Sequence, residues 1–167
     1  GYGANVHVAF LAVTGYAAGF ADGYDTFNAK VKGAPDGRVE IKLIGNGADS
    51  VALVQDVTTY AGSTDLGDGW YELAVPFSEF SNAANIPGHS GWLLGPPGDQ
   101  GDETFVFLLT DVGFSTVGGG GGPADPGTTP EHVLYATSAD VDTPFPEGGI
   151  TDFGSGATFD AAFAPGG

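Results

Sequence analysis

Residues 24–45, YDTFNAKVKGAPDGRVEIKLIG, decide the fold class because they contain two short segments in which apolar and polar residues alternate. The apolar residues that share one face of each segment are Phe27, Ala29 and Val31, followed by Val39, Ile41 and Leu43. A period of two predicts β-strands with one face in the core. Between them, Pro35 and Gly37 in the sequence APDG predict a turn that joins the two strands in a hairpin.

Strand-like segments continue along the chain on both sides of this pair. They cover residues 5–13, 47–57, 65–80 and 103–117, and we expect the last to be one long buried strand with a kink near Asp111 to Gly113. The 30 glycines supply tight turns, and 41% hydrophobic residues are enough for a core. A chain of 167 residues predicts one domain. We therefore expect an all-β protein, an antiparallel β-sandwich or jelly roll.

A Gly/Pro-rich stretch at residues 118–130 divides the chain into a main sandwich, residues 1–117, and a tail, residues 131–167. Glycine-rich and proline-rich sequence of this kind is typical of linkers. The tail contains strand-like segments but is too short for a core of its own. It is expected to complete the sandwich, either in the same chain or in a neighbouring copy.

The charge of the chain excludes several function classes. With 21 acidic and 4 basic residues the net charge is −17, which disfavours binding to nucleic acid or to an anionic membrane. Such acidity suits saline surroundings, where screening lowers self-repulsion, or simply keeps the protein soluble. No cysteine is present, so disulfides are excluded, and no apolar run reaches the roughly 20 residues of a membrane helix. The missing initiator Met indicates processing or an excerpt of a longer chain.

Residues 68–80, DGWYELAVPFSEF, and residues 105–117, FVFLLTDVGFSTV, carry a family resemblance. A strand of the form Trp-x5-Pro-x3-Phe, followed by one with Thr-Asp-Val-Gly-Phe, resembles the non-catalytic carbohydrate-binding β-sandwiches, of galactose-binding-like jelly-roll type, in secreted bacterial polysaccharidases. The resemblance covers residues 1–117 and implies an extracellular or cell-surface module. In that family a segment like the tail comes first. The order here therefore predicts a circular permutant or one unit of a tandem repeat.

The basic residues are the first candidates for a ligand site. All four fall within thirteen positions, on two strands expected to be neighbours: Lys30, Lys32, Arg38 and Lys42. One interpretation is a cationic strip that donates hydrogen bonds to the hydroxyls or carboxylates of a glycan. The other is cross-strand pairing with Glu40 and Glu72 and protection of a sheet edge.

Aromatic residues are the second candidates, because the apolar face of a sugar stacks on a ring. Trp92 lies in a long Gly/Pro-rich segment, where exposure and burial are both open. We expect Trp70, at the start of a strand, to be in the core. His89 and Tyr60 are lesser candidates for sugar contacts.

A structural calcium ion is the one cofactor predicted. Asp140 and Asp142, together with Asp152 and Asp111, supply the oxygen ligands that Ca²⁺ prefers. The resembling family often holds calcium near its first and last strands. The alternative is a solvated acidic turn, which is common in so acidic a chain.

These features lead to two functional hypotheses. The first is non-catalytic polysaccharide binding by a secreted, lectin-like module. The second is a structural extracellular repeat or filament subunit, in which residues 131–163 donate strands to the next copy. We do not expect an enzyme, since the chain has no cysteine nucleophile, no Gly-x-Ser-x-Gly turn and no metal-ligand spacing among its three histidines.

Overall fold

The structure is a computed structural model that describes residues 11–99, 106–116, 132–135 and 150–152. Within these ranges the chain forms ten β-strands and three short 3₁₀ turns, at Pro35–Gly37, Phe77–Glu79 and Ala83–Gly88. The strands are β1 (Leu11–Thr14), β2 (Thr26–Lys32), β3 (Val39–Ile44), β4 (Ser50–Val54), β5 (Ser63–Gly67), β6 (Trp70–Pro76), β7 (Gly91–Gly95), β8 (Leu108–Ser115), β9 (His132–Tyr135) and β10 (Ile150–Asp152).

The strands form two five-stranded sheets in which every recorded pairing is antiparallel. The first sheet has the order β10-β1-β7-β3-β4, and the second has the order β5-β6-β2-β8-β9. Their inner faces share one hydrophobic core, which confirms the predicted all-β sandwich. No helix in the described part of the chain is long and apolar enough to span a membrane.

The core is built from the alternating residues that the sequence singled out. Phe27 and Val31 of β2 and Ile41 and Leu43 of β3 are fully buried. Phe114 of β8 is surrounded by further rings, which contact it edge-on or stacked at centroid distances of 5.2–6.0 Å. Such aromatic pairs add about 0.5–1.5 kcal/mol each to the free energy gained by burial. The clustered rings therefore stabilise this region of the sandwich.

The predicted hairpin between β2 and β3 is wrong. β2 lies between β6 and β8 in the second sheet, whereas β3 lies between β4 and β7 in the first. Residues 33–38 cross from one sheet to the other, and Gly33 and Gly37 adopt the positive φ angles, 78° and 70°, that this crossing requires. Both strands still turn their apolar faces to the same core, because they reach it from opposite sides.

The two C-terminal strands pair with their own chain. β9 adds to β8 at one edge of the second sheet, and β10 adds to β1 at one edge of the first. Of the alternatives for the tail, these segments complete the sandwich in cis in this structure. Residues 1–10, the stretch 118–130 and the rest of the tail lie outside the described residues.

The predicted kink in β8 is confirmed, although the strand itself covers only Leu108–Ser115. The register between β2 and β8 shifts between Asn28 and Lys30, so that Asp111 and Val112 occupy a β-bulge. Asp111 has a positive φ of 50° there. The bulge interrupts the regular alternation at the centre of the second sheet.

Candidate functional site

The expectation of a single cationic strip is wrong, because the four basic residues lie on different sheets. Lys30 and Lys32 belong to β2 in the second sheet, whereas Lys42 belongs to β3 in the first and Arg38 immediately precedes it. The outer faces of the two sheets point away from each other. One ligand surface therefore cannot use all four cations.

Arg38 and Lys42 are engaged with nearby carboxylates. Arg38 donates from one guanidinium nitrogen to both carboxylate oxygens of Asp99, at 2.9 and 3.1 Å. Lys42 pairs with Glu40, two positions away on the same strand, at 2.9 Å. Both cations are paired, but not across strands as expected, because Glu40 lies on the same strand as Lys42 and Asp99 was not among the expected partners.

Trp92 is buried, which decides between the two alternatives left open by its sequence context. It lies in β7, next to β1 and β3, and its side chain is 0% exposed. Leu94, two positions further along the same strand, is buried in the same core. A role for Trp92 in stacking on a sugar at the surface is therefore contradicted, because its ring forms part of the hydrophobic core.

His89 and Tyr60 are also engaged inside the protein. His89 is fully buried and its Nε2 lies 3.0 Å from the hydroxyl of Ser50. The half-buried Tyr60 donates its hydroxyl to the carboxylate of Glu79 at 3.0 Å. Burial, followed by the interaction with Glu79, raises the pKa of Tyr60 above its usual value. Both side chains have structural contacts, and the burial of His89 contradicts direct contact with a surface glycan.

The predicted calcium ligands are not brought together among the described residues. Asp140 and Asp142 lie outside the described part of the chain. Asp152 is in β10 of the first sheet, and Asp111 is in β8 of the second, where it pairs with Lys30. Among the residues that the structure describes, no group of three or more His, Asp or Glu side chains is placed to hold a metal ion.

The outer face of the second sheet gathers polar side chains from its three central strands. Because Phe27, Ala29 and Val31 point into the core, the intervening residues of β2 point outwards. The cross-strand register places residues of β6 and β8 beside them. We call this surface the polar face, and its residues are Thr26, Asn28, Lys30, Lys32, Trp70, Glu72, Thr110, Asp111 and Ser115.

The polar face is unusual because several of its outward side chains are buried. Thr26, Asn28 and Glu72 are 4%, 7% and 5% exposed, although the outer face of an antiparallel sheet is commonly solvated. Buried polar groups of this kind require hydrogen-bond partners. Asn28 accordingly donates to the hydroxyl of Ser115 at 2.8 Å across the β2–β8 pair. Thr26 likewise donates to the carboxylate of Asp25 at 2.8 Å, so these two side chains are held in fixed positions.

A partly buried ion pair lies at the centre of the polar face. The ammonium group of Lys30 is 2.8 Å from a carboxylate oxygen of Asp111, and their side chains are 14% and 22% exposed. Glu72 lies directly opposite Lys30 on β6. Lys30 therefore lies between two strands that each carry one carboxylate, Glu72 on β6 and Asp111 on β8, and its charge is compensated locally.

Asp111 has a strained backbone conformation at the position where it forms the ion pair with Lys30. Of the four non-glycine residues with positive φ in the described ranges, Asp36, Asp68 and Asn82 lie in turns, whereas Asp111 lies inside a strand. Left-handed backbone at a non-glycine residue costs on the order of 1–3 kcal/mol and is often found at functional sites. The bulge places the Asp111 carboxylate against Lys30 on the polar face.

Lys32 and Trp70 form the open end of the polar face. They are opposite one another in the β2–β6 register, and both side chains are half-buried. Trp70 is therefore outside the buried core, contrary to expectation. Among the described residues, Lys32 is the one basic side chain without an ion-pair partner. An aromatic ring and a cation that forms no ion pair with any other described residue thus lie side by side at the surface.

Sequence reasoning selected Lys30, Lys32 and Asp111 but missed Trp70, Glu72 and Asn28 as members of one surface. The signal that would have identified Trp70 and Glu72 is the alternation of inward and outward residues along β6. Leu73 and Val75 point inwards, so the even-numbered positions Trp70 and Glu72 point outwards. The pairing of β2 with both β6 and β8 was also needed, and that pairing is not local in sequence.

A scan of the chain against protein-family models found no match, and searches among curated proteins and among solved structures found none either. The function therefore has to be inferred from the chemistry of the polar face.

Proposed function

We propose that the protein is a non-catalytic carbohydrate-binding module that holds a polysaccharide on its polar face. The observation that carries this proposal is the placement of Trp70 next to Lys32 on a surface of fixed, partly buried polar groups. The apolar face of a pyranose ring packs on an indole, while its hydroxyl groups need donors and acceptors at defined positions. The polar face offers both.

The order of the side chains supports binding of an extended ligand. Lys32, Lys30, Asn28 and Thr26 follow one another along β2, with outward positions about 6.6 Å apart. Lys30 and Lys32 present ammonium donors to the ligand, whereas Asn28 and Thr26, which are 7% and 4% exposed, lie beneath the surface and support it. Because hydrogen bonds within the face already restrict Asn28 and Lys30, little conformational entropy is lost on binding.

Affinity electrophoresis and calorimetry with soluble polysaccharides test this proposal, with alginate, laminarin and xylan as probes. We expect at least one of them to bind, and Trp70→Ala to weaken that binding about tenfold or more, equivalent to about 1.4 kcal/mol. Leu53→Ala is the matched control, because Leu53 is 40% exposed on the outer face of the first sheet.

Two results would overturn the proposal. One is the absence of binding to all three probes by protein whose folding is confirmed by circular dichroism. The other is equal binding by the Trp70→Ala variant. Release of reducing sugar during the assay would contradict the non-catalytic part, since Glu72 and Asp111 share the polar face and glycoside hydrolysis uses paired carboxylates.

A structural role is the second candidate, and the edge positions of β9 and β10 favour it. Each is the outermost strand of its sheet, so donation of both to a neighbouring copy would keep every pairing of the inner strands. Light scattering during size-exclusion chromatography tests this role. Concentration-dependent dimers or longer assemblies are expected if the strands are exchanged, and a monomer at all concentrations would contradict it.

A further inference from the structure

A cleft opens at the end of the sandwich where β2 finishes and β6 begins. Its base is apolar: Tyr71 is half-buried, and Val31 and Val57, which belong to the core, are 0% and 3% exposed. Lys32 and Thr58 lie at its polar rim. The cleft has a volume of about 180 Å³. It therefore combines a small apolar surface with hydrogen-bonding groups at its opening.

Glycines form much of the wall of this cleft. Gly33 and Gly69, with φ angles of 78° and 77°, follow β2 and precede β6. A Cβ atom at Gly33 would collide with the carbonyl oxygen of Val106, so this position excludes every side chain. At Gly69 the nearest atom is Cε of Lys32, 3.8 Å from where a Cβ would lie. The backbone itself shapes the cleft, and the stem of Lys32 lies beside it.

The rim opposite Lys32 is held in place by Asp56. One carboxylate oxygen of Asp56 accepts hydrogen bonds from the backbone N–H and the hydroxyl of Thr58, at 2.8 and 2.7 Å. These two bonds lower the pKa of Asp56, which keeps it ionised as an acceptor. The cleft is therefore pre-formed, which reduces the entropy lost when a ligand is ordered.

Lys32 belongs to both the cleft and the polar face. The outward residues of β2 lead from Thr26 to Lys32, and the turn at residues 33–37 begins immediately beyond. A ligand that follows β2 therefore arrives at the cleft and meets the turn. The row of outward side chains along β2 therefore ends at this turn.

We propose that this cleft holds the terminal sugar of a polysaccharide that lies along the polar face, so that the protein recognises chain ends. Sites for drug-sized ligands measure about 300–1,000 Å³, so a smaller cleft suits a single sugar ring. The ring packs on the exposed part of Tyr71, Lys32 donates to its hydroxyl groups, and the hydroxyl oxygen of Thr58 accepts from them. This inference rests on the proposed function and specifies which part of the glycan is bound.

Calorimetry with one polysaccharide at two chain lengths tests the inference. The probe is the polysaccharide that binds best in the electrophoresis assay, used intact and after partial depolymerisation, at equal mass concentration. Recognition of chain ends predicts that the number of binding sites per gram rises in proportion to the number of chains. An unchanged number of sites per gram would overturn chain-end recognition and leave polysaccharide binding intact. Failure to bind either preparation would overturn the proposed function itself.

A plugged cleft provides the second test. Thr58→Trp places a large ring at the rim, and Thr59→Trp, at an exposed neighbouring position that does not line the cleft, is the matched control. We expect Thr58→Trp to weaken binding of the shortened chains about tenfold and Thr59→Trp to leave it unchanged. Equal affinities for the two variants would contradict the inference. The chain-length experiment uses the unaltered protein, so it decides the question even if a variant fails to fold.

Discussion

The outer faces of the two sheets differ in whether their polar side chains pair within one strand or across neighbouring strands. On the first sheet, the pair Glu40–Lys42 is formed within one strand, and the apolar side chain of Leu53 is exposed nearby. On the second, polar groups are bonded across strands and buried, as in the contact of Asn28 with Ser115. Local pairs need no particular tertiary structure, whereas cross-strand networks do. The second face is thus organised by the fold and is suited to present fixed groups to a ligand.

The largest expected effect is the difference in stability lost when each of the two tryptophans is replaced by alanine. Trp92→Ala removes a fully buried ring from the inner side of the first sheet, and we expect a loss of about 3–5 kcal/mol in the free energy of unfolding. Trp70→Ala removes a half-buried ring from the polar face and should cost about 1 kcal/mol or less. Urea unfolding followed by circular dichroism measures both. Similar losses for the two variants would contradict the assignment of Trp70 to the outer surface.

The two lysines provide a second matched pair. Lys30→Met leaves the carboxylate of Asp111 without its partner in a largely buried position, so we expect destabilisation of about 2 kcal/mol. Lys42→Met breaks a pair that is exposed to a similar degree, 24% and 19%, but the pair joins two residues of one strand and holds no neighbouring strand in place, so stability should change by less than about 1 kcal/mol. Urea midpoints of the two variants give the comparison. If Lys42→Met were the more damaging, the distinction between the two faces would be wrong.

Alternation along β2 and β3 was sufficient to predict which residues face the core, because Phe27 and Ile41 follow a strict period of two. It was not sufficient to predict which strands pair. The sequence APDG has the residues of a turn. Similar residues occur both in hairpin turns and in connections that cross from one sheet to the other. The polar face depends on the pairing of β2 with β6 and β8, which joins positions 38 to 50 residues apart (Lys32↔Trp70 to Thr26↔Pro76) and 76 to 89 residues apart (Lys32↔Leu108 to Thr26↔Ser115). Local sequence contains no signal for contacts at that separation.

Trp70 was wrongly expected in the core, and the burial of Trp92 was left open, for a related reason. The glycines and prolines around Trp92 resemble a loop, but β7 is an inner strand of the first sheet, where Gly91 and Gly95 are strand residues. Burial there is decided by the neighbouring strands rather than by local composition. By contrast, the bulge near Asp111 was predicted, because the sequence Asp-Val-Gly interrupts an otherwise continuous apolar run.

The buried histidine His89, which lies between the 3₁₀ turn Ala83–Gly88 and β7, makes stability depend on pH. The hydroxyl of Ser50 donates to the carbonyl of Asn82 at 2.9 Å, so it accepts from the Nε2–H group of His89. Nδ1 therefore carries no proton, and it has no hydrogen-bond partner among the described residues. Burial lowers the pKa of His89, and the nearby charge of Asp49 opposes this to a smaller extent.

Because the folded state resists protonation of His89, stability is complete above the unfolded pKa of about 6.5 and declines as the pH falls below it. The slope from this single group is at most about 1.4 kcal/mol per pH unit. Urea midpoints between pH 7 and pH 5 should fall for the native protein and fall less for His89→Gln, which retains a donor to Ser50. Parallel pH profiles would show that His89 is not responsible.

The hydrogen bond between Asn28 and Ser115 allows a single cross-strand interaction of the polar face to be tested. Each single variant, Asn28→Ala or Ser115→Ala, should lower the free energy of unfolding by about 1 kcal/mol, because each leaves a half-buried partner without its hydrogen bond. In a double-mutant cycle the two changes should be coupled by about 0.5 kcal/mol or more, since they remove the same interaction. Pairing either variant with Lys42→Met, on the opposite sheet, should give additive losses. Additivity between Asn28 and Ser115 would instead mean that the polar face is a set of independent side chains, and its pre-organisation for a ligand would lose its physical basis.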